Sequence, residues 1–487
     1  MTTVAINSAS SRPSLSGSTA IVVVLVILTS VLFAASIDFL MRGDATTYAT
    51  YALIGKWDDL TLHMGYYATI AVLHHTIGAV LGIPIHEMLA YANVAFGALA
   101  TGVVFLLAEA LLGSRLVAVI TAVYFAIGGR VIMNATSSEI YMLQTLVVTS
   151  SMLLYVHERP FVAGLMAGFG LLVSPLSAFA YLFFPAWELT RPNGRNWQTF
   201  GLLVAGGTLV YLPYLLMWWQ ELFWGRRGLL SIREVTPIDL REMLANSVKY
   251  QIKHFSALLL LLPVGIAAWR SYTRLLWLTA AVAVPHLYIV SKLTEEDNTF
   301  LLNTDAFFCL WLAIGTGVLW SKRPWKMLAL VPAVAHLTLY IVAGVLFSGQ
   351  TNRVYATDMR QVADAYLKGK NAVMVTDWDV TISLTHFGRD SAVSIPEEDP
   401  LFRQMYDLDT RVGPWPSLEN TEIYLLDPWA PSPLNKLLRS EATLAELRRE
   451  SSVLGKAQRR LGLECTELDR PTHVLYRCQK VRRGTRG

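Results

Sequence analysis

Asp38-Phe39-Leu40-Met41-Arg42-Gly43-Asp44-Ala45-Thr46-Thr47-Tyr48 is the stretch from which the rest of the chain is read. It follows directly on the first long apolar run and sets two carboxylates where a membrane helix meets water. Acids at a bilayer boundary are costly to hold in place and mark functional sites. The run before it, Ala20 to Leu40, has the length of a bilayer span. It is too long for a signal-peptide core and lacks a clear small-residue cleavage site, so it reads as a retained anchor. Asp44 is therefore the first candidate for chemistry, as a general base at the membrane boundary. It also suits a helix N-cap, since Gly-Asp-Ala-Thr precedes a helical stretch, and the two roles coexist.

The composition agrees with a membrane setting. The chain has 487 residues, 54% hydrophobic and 16% charged. Soluble domains carry about 25% charged residues, so this balance indicates an integral membrane protein. Lys and Arg are spread through short loops between apolar runs and form no single patch, which argues against nucleic acid as a partner. Of the three cysteines, Cys309 lies inside an apolar run and reads as a packing residue.

The apolar runs are 20–40, 88–112, 116–133, 139–156, 160–174, 176–189, 198–218, 255–269, 275–291, 300–320 and 327–348. The stretch 65–83 is also apolar and sets the parity of the topology. If it lies in the membrane plane or re-enters, then Arg115, Arg159, Arg191, Arg195, Arg270, Arg274, Lys322, Arg323 and Lys326 share one side with Arg12. The opposite side receives Asp44, Asp58, Asp59, Glu139, Glu295, Glu296 and Asp297. The positive-inside rule then gives about eleven spans, with the N-terminus cytoplasmic and the C-terminus extracytoplasmic, in a plasma or inner membrane. The expected fold is an all-α polytopic membrane domain over residues 1–349, with juxtamembrane helices. A small extracytoplasmic α/β domain is expected over 350–487, from strand-like runs at Ala372–Asp377 and Glu422–Asp427 and a charged helical stretch near 439–461. Cys465 and Cys478 lie on two runs spaced like a hairpin; the spacing fits both a disulfide and two free thiols.

Four groups of residues carry candidate chemistry. The outer loop after Asp44 supplies Tyr48, His63 and Tyr66, with Asp58 and Asp59 reading as a solvated turn. The second group, Ser138-Glu139-Ile140-Tyr141, opens a span; Glu139 faces either a substrate or the helix dipole. In the third, Trp224-Gly225-Arg226-Arg227 at the end of another span, the arginines suit a lipid phosphate or plain anchoring to anionic headgroups. The fourth is Glu295-Glu296-Asp297, which has oxygen ligands for a divalent cation such as Mg or Mn, or is a solvated loop. The chain has no Walker loop, no dinucleotide glycine turn and no Gly-x-Ser-x-Gly elbow.

The order of these features resembles the GT-C superfamily of multi-pass glycosyltransferases, which take a sugar from a polyprenyl-phosphate carrier. The pattern of Asp44, Tyr48, His63, Gly65 and Tyr66 after a first span carries that resemblance. Within the superfamily the chain looks most like the bacterial and ER transmembrane O-mannosyltransferase-like family, formerly of unknown function. Ser138-Glu139-Ile140-Tyr141, the helix break Gly170–Ser177, Tyr211-Leu212-Pro213 with Trp224-Gly225, and Phe300-Leu301-Leu302-Asn303 match its motifs. It departs from that family where Ala45 replaces an acid, where Ser174-Pro175 replaces the histidine of the break, and where Arg226 follows Trp224-Gly225.

The resemblance implies an inverting glycosyltransferase with Asp44 as base. It implies that Tyr48, His63, Tyr66, Glu139, Tyr141, Arg226 and Arg227 hold the substrates. The partners it implies are a polyprenyl-phosphate sugar donor, membrane lipids, and a lipid, glycan or protein acceptor. Two other classes fit the sequence: a transporter or lipid flippase, and a non-catalytic scaffold with an outer binding domain.

Overall fold

The computed structural model describes residues 15–37, 48, 52, 63–192, 194–224, 240–290, 301–340, 342, 361–362, 364–366 and 369–370, and strands at 372–376, 392–394, 422–427, 463–468 and 474–480. Asp44, Asp58, Asp59, Arg226, Arg227, Glu295, Glu296, Asp297 and the stretch 439–461 lie outside the described residues. The chain divides into two units, residues 1–37 with 48–344 and residues 38–47 with 345–487.

The first unit is helical. Within a bilayer each backbone N–H and C=O must be paired inside the chain, so long apolar runs become helices. α1 (Leu15–Ala35) runs antiparallel to α3 (Ile85–Leu112), with Val22 and Val26 seated on Gly102 and Phe33 against Gly97. At one end of this pair Ser18 and Arg115 both donate to Glu109, at 2.8 and 2.9 Å. Between them in sequence, α2 (Met64–Leu73) continues through a π-helical turn, His74–Gly78, to Leu81. α4 (Arg115–Ala126) and α5 (Gly129–Thr136) follow and are bent by 59° at their junction. α6 (Tyr141–Val156) and α7 (Pro160–Val173) pack as a helical hairpin.

Pro175 disfavours the helical conformation of the residue before it. Ser174 is accordingly extended, at φ −159° and ψ 126°, and α7 ends there. The run at 176–189 becomes two short helices, α8 (Ser177–Ala180) and α9 (Phe183–Leu189). α10 (Trp197–Trp224) runs past the expected end of its span and keeps Pro213 inside it. α11 (Leu240–Phe255), a 3-10 segment (Ser256–Leu261) and α12 (Leu262–Ala267) occupy the region of the expected span 255–269. α13 (Thr273–Val290), α14 (Leu302–Ser321) and α15 (Lys326–Tyr340) complete the unit.

The span count differs from the expectation of about eleven. Among the described residues five helices are long and apolar enough to cross a membrane, and six if the bent α4–α5 pair is one span. α6, α7 and α15 are apolar but shorter, at 16, 14 and 15 residues. Apolar composition marks a buried segment, whereas spanning also requires unbroken length.

Small residues let the helices approach backbone to backbone. A Cβ at Gly164 would run into the carbonyl of Leu203, and one at Gly168 would meet the carbonyl of Gly207 at 2.6 Å, so α7 and α10 cross on glycine. Gly265 on α12 and Gly315 on α14 meet in the same way, against the carbonyls of Trp311 and Leu261. Lipid tails give no hydrophobic drive between helices, so this close packing carries their association. Inside the packed unit Arg130 and Asp305 form an ion pair in which both side chains are fully buried. Removing either partner would strand the other charge at a cost of about 3–5 kcal/mol.

The second unit contains a five-stranded mixed sheet in the order β2-β1-β3-β5-β4, formed by β1 (Ala372–Thr376), β2 (Ala392–Ser394), β3 (Glu422–Asp427), β4 (Leu463–Leu468) and β5 (Val474–Lys480). β1 pairs in parallel with β2 and β3; β5 pairs antiparallel with β3 and β4. Met374, Leu425, Leu426 and Leu475 are buried in it. Cys465 and Cys478 stand opposite each other in the β4–β5 ladder and form a disulfide, with Cα atoms 4.0 Å apart.

Candidate functional site

The site grows from the point where α2 meets the broken end of α7. Helix termini leave carbonyls without intrahelical partners. At the end of α7, Val173 offers its carbonyl to His63 Nδ1, which donates at 2.9 Å. Gly65 permits this approach, because a Cβ there would sit 2.9 Å from the Leu172 and Val173 backbone. The imidazole is thereby held as the Nδ1–H tautomer against the end of α7. The break itself lacks a histidine, and His63 supplies an imidazole to it from 110 residues away.

Three tyrosines gather beside this ring. Tyr48 is 2% exposed, with its ring centroid 6.1 Å from His63, 5.4 Å from Tyr66 and 5.6 Å from Tyr67. The edge-on geometries are those that aromatic quadrupoles favour. Tyr66 has no exposed surface, and its hydroxyl has no hydrogen-bond partner within the protein. Burial, with the Glu139 carboxylate adding to it, raises the phenol far above its ordinary pKa, so it stays a neutral O–H donor.

Asn93 closes the other wall. Its amide nitrogen donates to the carbonyls of Ser137 and Glu139, each at 2.6 Å, and so holds the turn before α6 against α3. Its Oδ1 is buried without a partner, and its side chain lies within reach of the Tyr66 hydroxyl. Glu139 is half-buried on that clamped turn, and Tyr141 opens α6 directly after it. Tyr48, His63, Tyr66 and Glu139 thus lie close to one another. The arrangement brings a carboxylate, a phenol and an imidazole together, suited to hydroxyl-rich or phosphate-bearing groups. Among the described residues no three His, Cys, Asp or Glu side chains gather as metal ligands.

Three contributors were missed in the sequence: Asn93, Tyr67 and the Val173 carbonyl. Asn93 carried a usable signal, an amide inside the apolar run 88–112. The same signal marked Arg130 and Asp305, each a charge inside an apolar run. The Val173 carbonyl carried none beyond the X-Pro break.

No family model matches the sequence, and no curated protein matches it. Solved structures do resemble the fold. ArnT from Cupriavidus metallidurans bound to undecaprenyl phosphate aligns over 95% of this chain and 98% of its own, with a TM-score of 0.58 and 12% identity. Its apo state gives a TM-score of 0.59 at 12% identity, over 96% of this chain and 98% of that one. The oligosaccharyltransferase AglB from Archaeoglobus fulgidus, in complex with an inhibitory peptide and a dolichol-phosphate, gives 0.50 at 12% identity, over 94% of this chain and 74% of that one. These neighbours are GT-C glycosyltransferases. The apolar helices are those of a membrane protein, and the fold is shared with ArnT and the oligosaccharyltransferase.

Proposed function

We propose that the protein is an inverting glycosyltransferase that moves a sugar from a polyprenyl-phosphate donor to an extracytoplasmic acceptor, on the O-mannosyltransferase-like branch of the GT-C fold. The observation that carries this reading is the convergence of Tyr48, His63, Tyr66 and Glu139 at one end of a GT-C helical unit. Two of the structural neighbours hold a polyprenyl phosphate, undecaprenyl phosphate in one and dolichol-phosphate in the other, which supports the donor class.

In this reading Asp44 takes the proton from the acceptor hydroxyl or amide as that atom attacks the anomeric carbon. The new glycosidic bond forms on the face opposite the departing oxygen. The carbon–oxygen bond to phosphate breaks, and polyprenyl phosphate leaves with the electron pair. Tyr66 and Glu139 orient sugar hydroxyls, with Tyr48 and Tyr141 beside them. His63, Arg226 and Arg227 balance the phosphate charge, where preorganised donors give their largest return. A divalent cation held by Glu295, Glu296 and Asp297 would add to that balance, and chelation of the purified protein checks for it.

The test is transfer itself. Purified protein in vesicles is given a radiolabelled polyprenyl-phosphate sugar and an extract of cell-envelope acceptors. Label appearing on an acceptor with release of polyprenyl phosphate supports the reading. Tight donor binding with movement of intact donor across the bilayer and no transfer overturns it in favour of a flippase.

A further inference from the structure

Along α7, α9 and α10 runs a second feature, whose charged end lies at the other end of the α6–α7 hairpin from the tyrosine cluster. A cavity of about 300 Å3 opens between them, lined by Ala167, Leu171, Phe184, Phe200, Leu203 and Tyr211 among others. Gly168 and Gly207, the crossing glycines, are also part of its wall. The α10 side chains at its rim, Val204 and Leu212, are 50% and 41% exposed and face the bilayer with the rest of that apolar surface. An unfilled apolar cleft forfeits dispersion contacts along its lining, so in a bilayer it takes hydrocarbon.

The Phe184–Phe200 end of the cleft meets a built cluster of arginines. Glu188, fully buried on α9, accepts from the Asn196 backbone at 2.7 Å and from Tyr155 at 2.9 Å. That ties Asn196 to α9, with exposed Arg195 directly before it in the chain. Arg191 pairs with Glu158 at 3.0 Å and with Glu188 at 3.6 Å. Arg274 lies 3.7 Å over the Trp187 ring, within electrostatic reach of Arg191 and Glu188. Its Nε and one terminal nitrogen are buried with no hydrogen-bond acceptor. Trp197, half exposed at the start of α10, adds an interfacial aromatic.

We propose that this is a binding site for one anionic phospholipid, with an acyl chain in the cleft and its phosphate at Arg191, Arg195 and Arg274. A guanidinium fork matches phosphate geometry, and the surplus of positive charge selects an anionic headgroup over a zwitterionic one. The site is distinct from the donor site. α6 and α7 each run the length between the two: Glu139 and the Val173 carbonyl stand at one end of this hairpin, His157 and Arg159 at the other. The proposal does not depend on the glycosyltransferase reading.

The test uses the full chain purified in detergent, with native mass spectrometry after exchange into mixed phosphatidylglycerol and phosphatidylcholine micelles. One retained phosphatidylglycerol is expected, favoured over phosphatidylcholine by about tenfold. Arg195→Gln/Arg274→Gln should lose that preference. Ala167→Phe, which fills the cleft, should lose retention while its thermal unfolding midpoint in detergent, held at the parent value, reports on folding. Equal retention of the two lipids, phosphatidylglycerol binding untouched by both variants, or displacement of the retained lipid by polyprenyl phosphate each overturns the proposal.

Discussion

Two carboxylates at opposite ends of the α6–α7 hairpin have contrasting surroundings. Glu188 is fully buried, and three partners surround it: Tyr155 at 2.9 Å, the Asn196 N–H at 2.7 Å and Arg191 at 3.6 Å. It joins α6, α9 and the start of α10, a structural task. Glu139 is only half-buried, on a turn held by Asn93 through its backbone carbonyl. Beside it the Tyr66 hydroxyl and Asn93 Oδ1 are buried without partners. A carboxylate whose neighbourhood is closed stabilises the fold. One set among donors and acceptors still open is poised for a substrate, because each unpaired buried group costs about 1–3 kcal/mol until something pairs with it.

That contrast makes separable predictions. Glu188→Ala strips acceptors from Tyr155, Asn196 and Arg191 and should lower stability by about 3–5 kcal/mol. Chemical or thermal unfolding in detergent measures the loss, and transfer per folded molecule should be unchanged. Glu139→Gln should do the reverse: transfer should fall by about 100-fold with the unfolding midpoint held, as expected for loss of one preorganised polar contact to the reacting sugar. If Glu139→Gln unfolds the protein and leaves the rate alone, the two ends are alike and the contrast fails. Tyr66→Phe is the smallest change. Deleting an unsatisfied buried hydroxyl should leave stability level or raise it by about 1 kcal/mol, while transfer slows by about tenfold. A stability loss in that variant would mean that the hydroxyl is already paired.

Much of the helical unit was legible in the sequence, since each apolar run contains helix and the Ser174-Pro175 break falls where the residue before a proline leaves the helical region. The breaks within two of the runs were not, because 176–189 and 255–269 read as continuous apolar runs but break at Tyr181-Leu182 and into a 3-10 segment. Tyr48, His63, Tyr66 and Glu139 were named from local motifs, and they lie close together. The contacts that hold them were hidden, because His63 to Val173, Asn93 to Ser137 and Arg130 to Asp305 join residues 110, 44 and 175 positions apart. Such pairings depend on how helices cross, and glycines such as Gly65, Gly164 and Gly315 set those crossings by what they lack.

The base is the remaining question, and Asp44→Asn addresses it with a near-isosteric change. Sugar transfer from the labelled polyprenyl-phosphate donor should fall to background in that variant, while its unfolding midpoint and donor binding match the parent chain. Transfer continuing at the parental rate would contradict the assignment of Asp44 and, with it, the proposed mechanism.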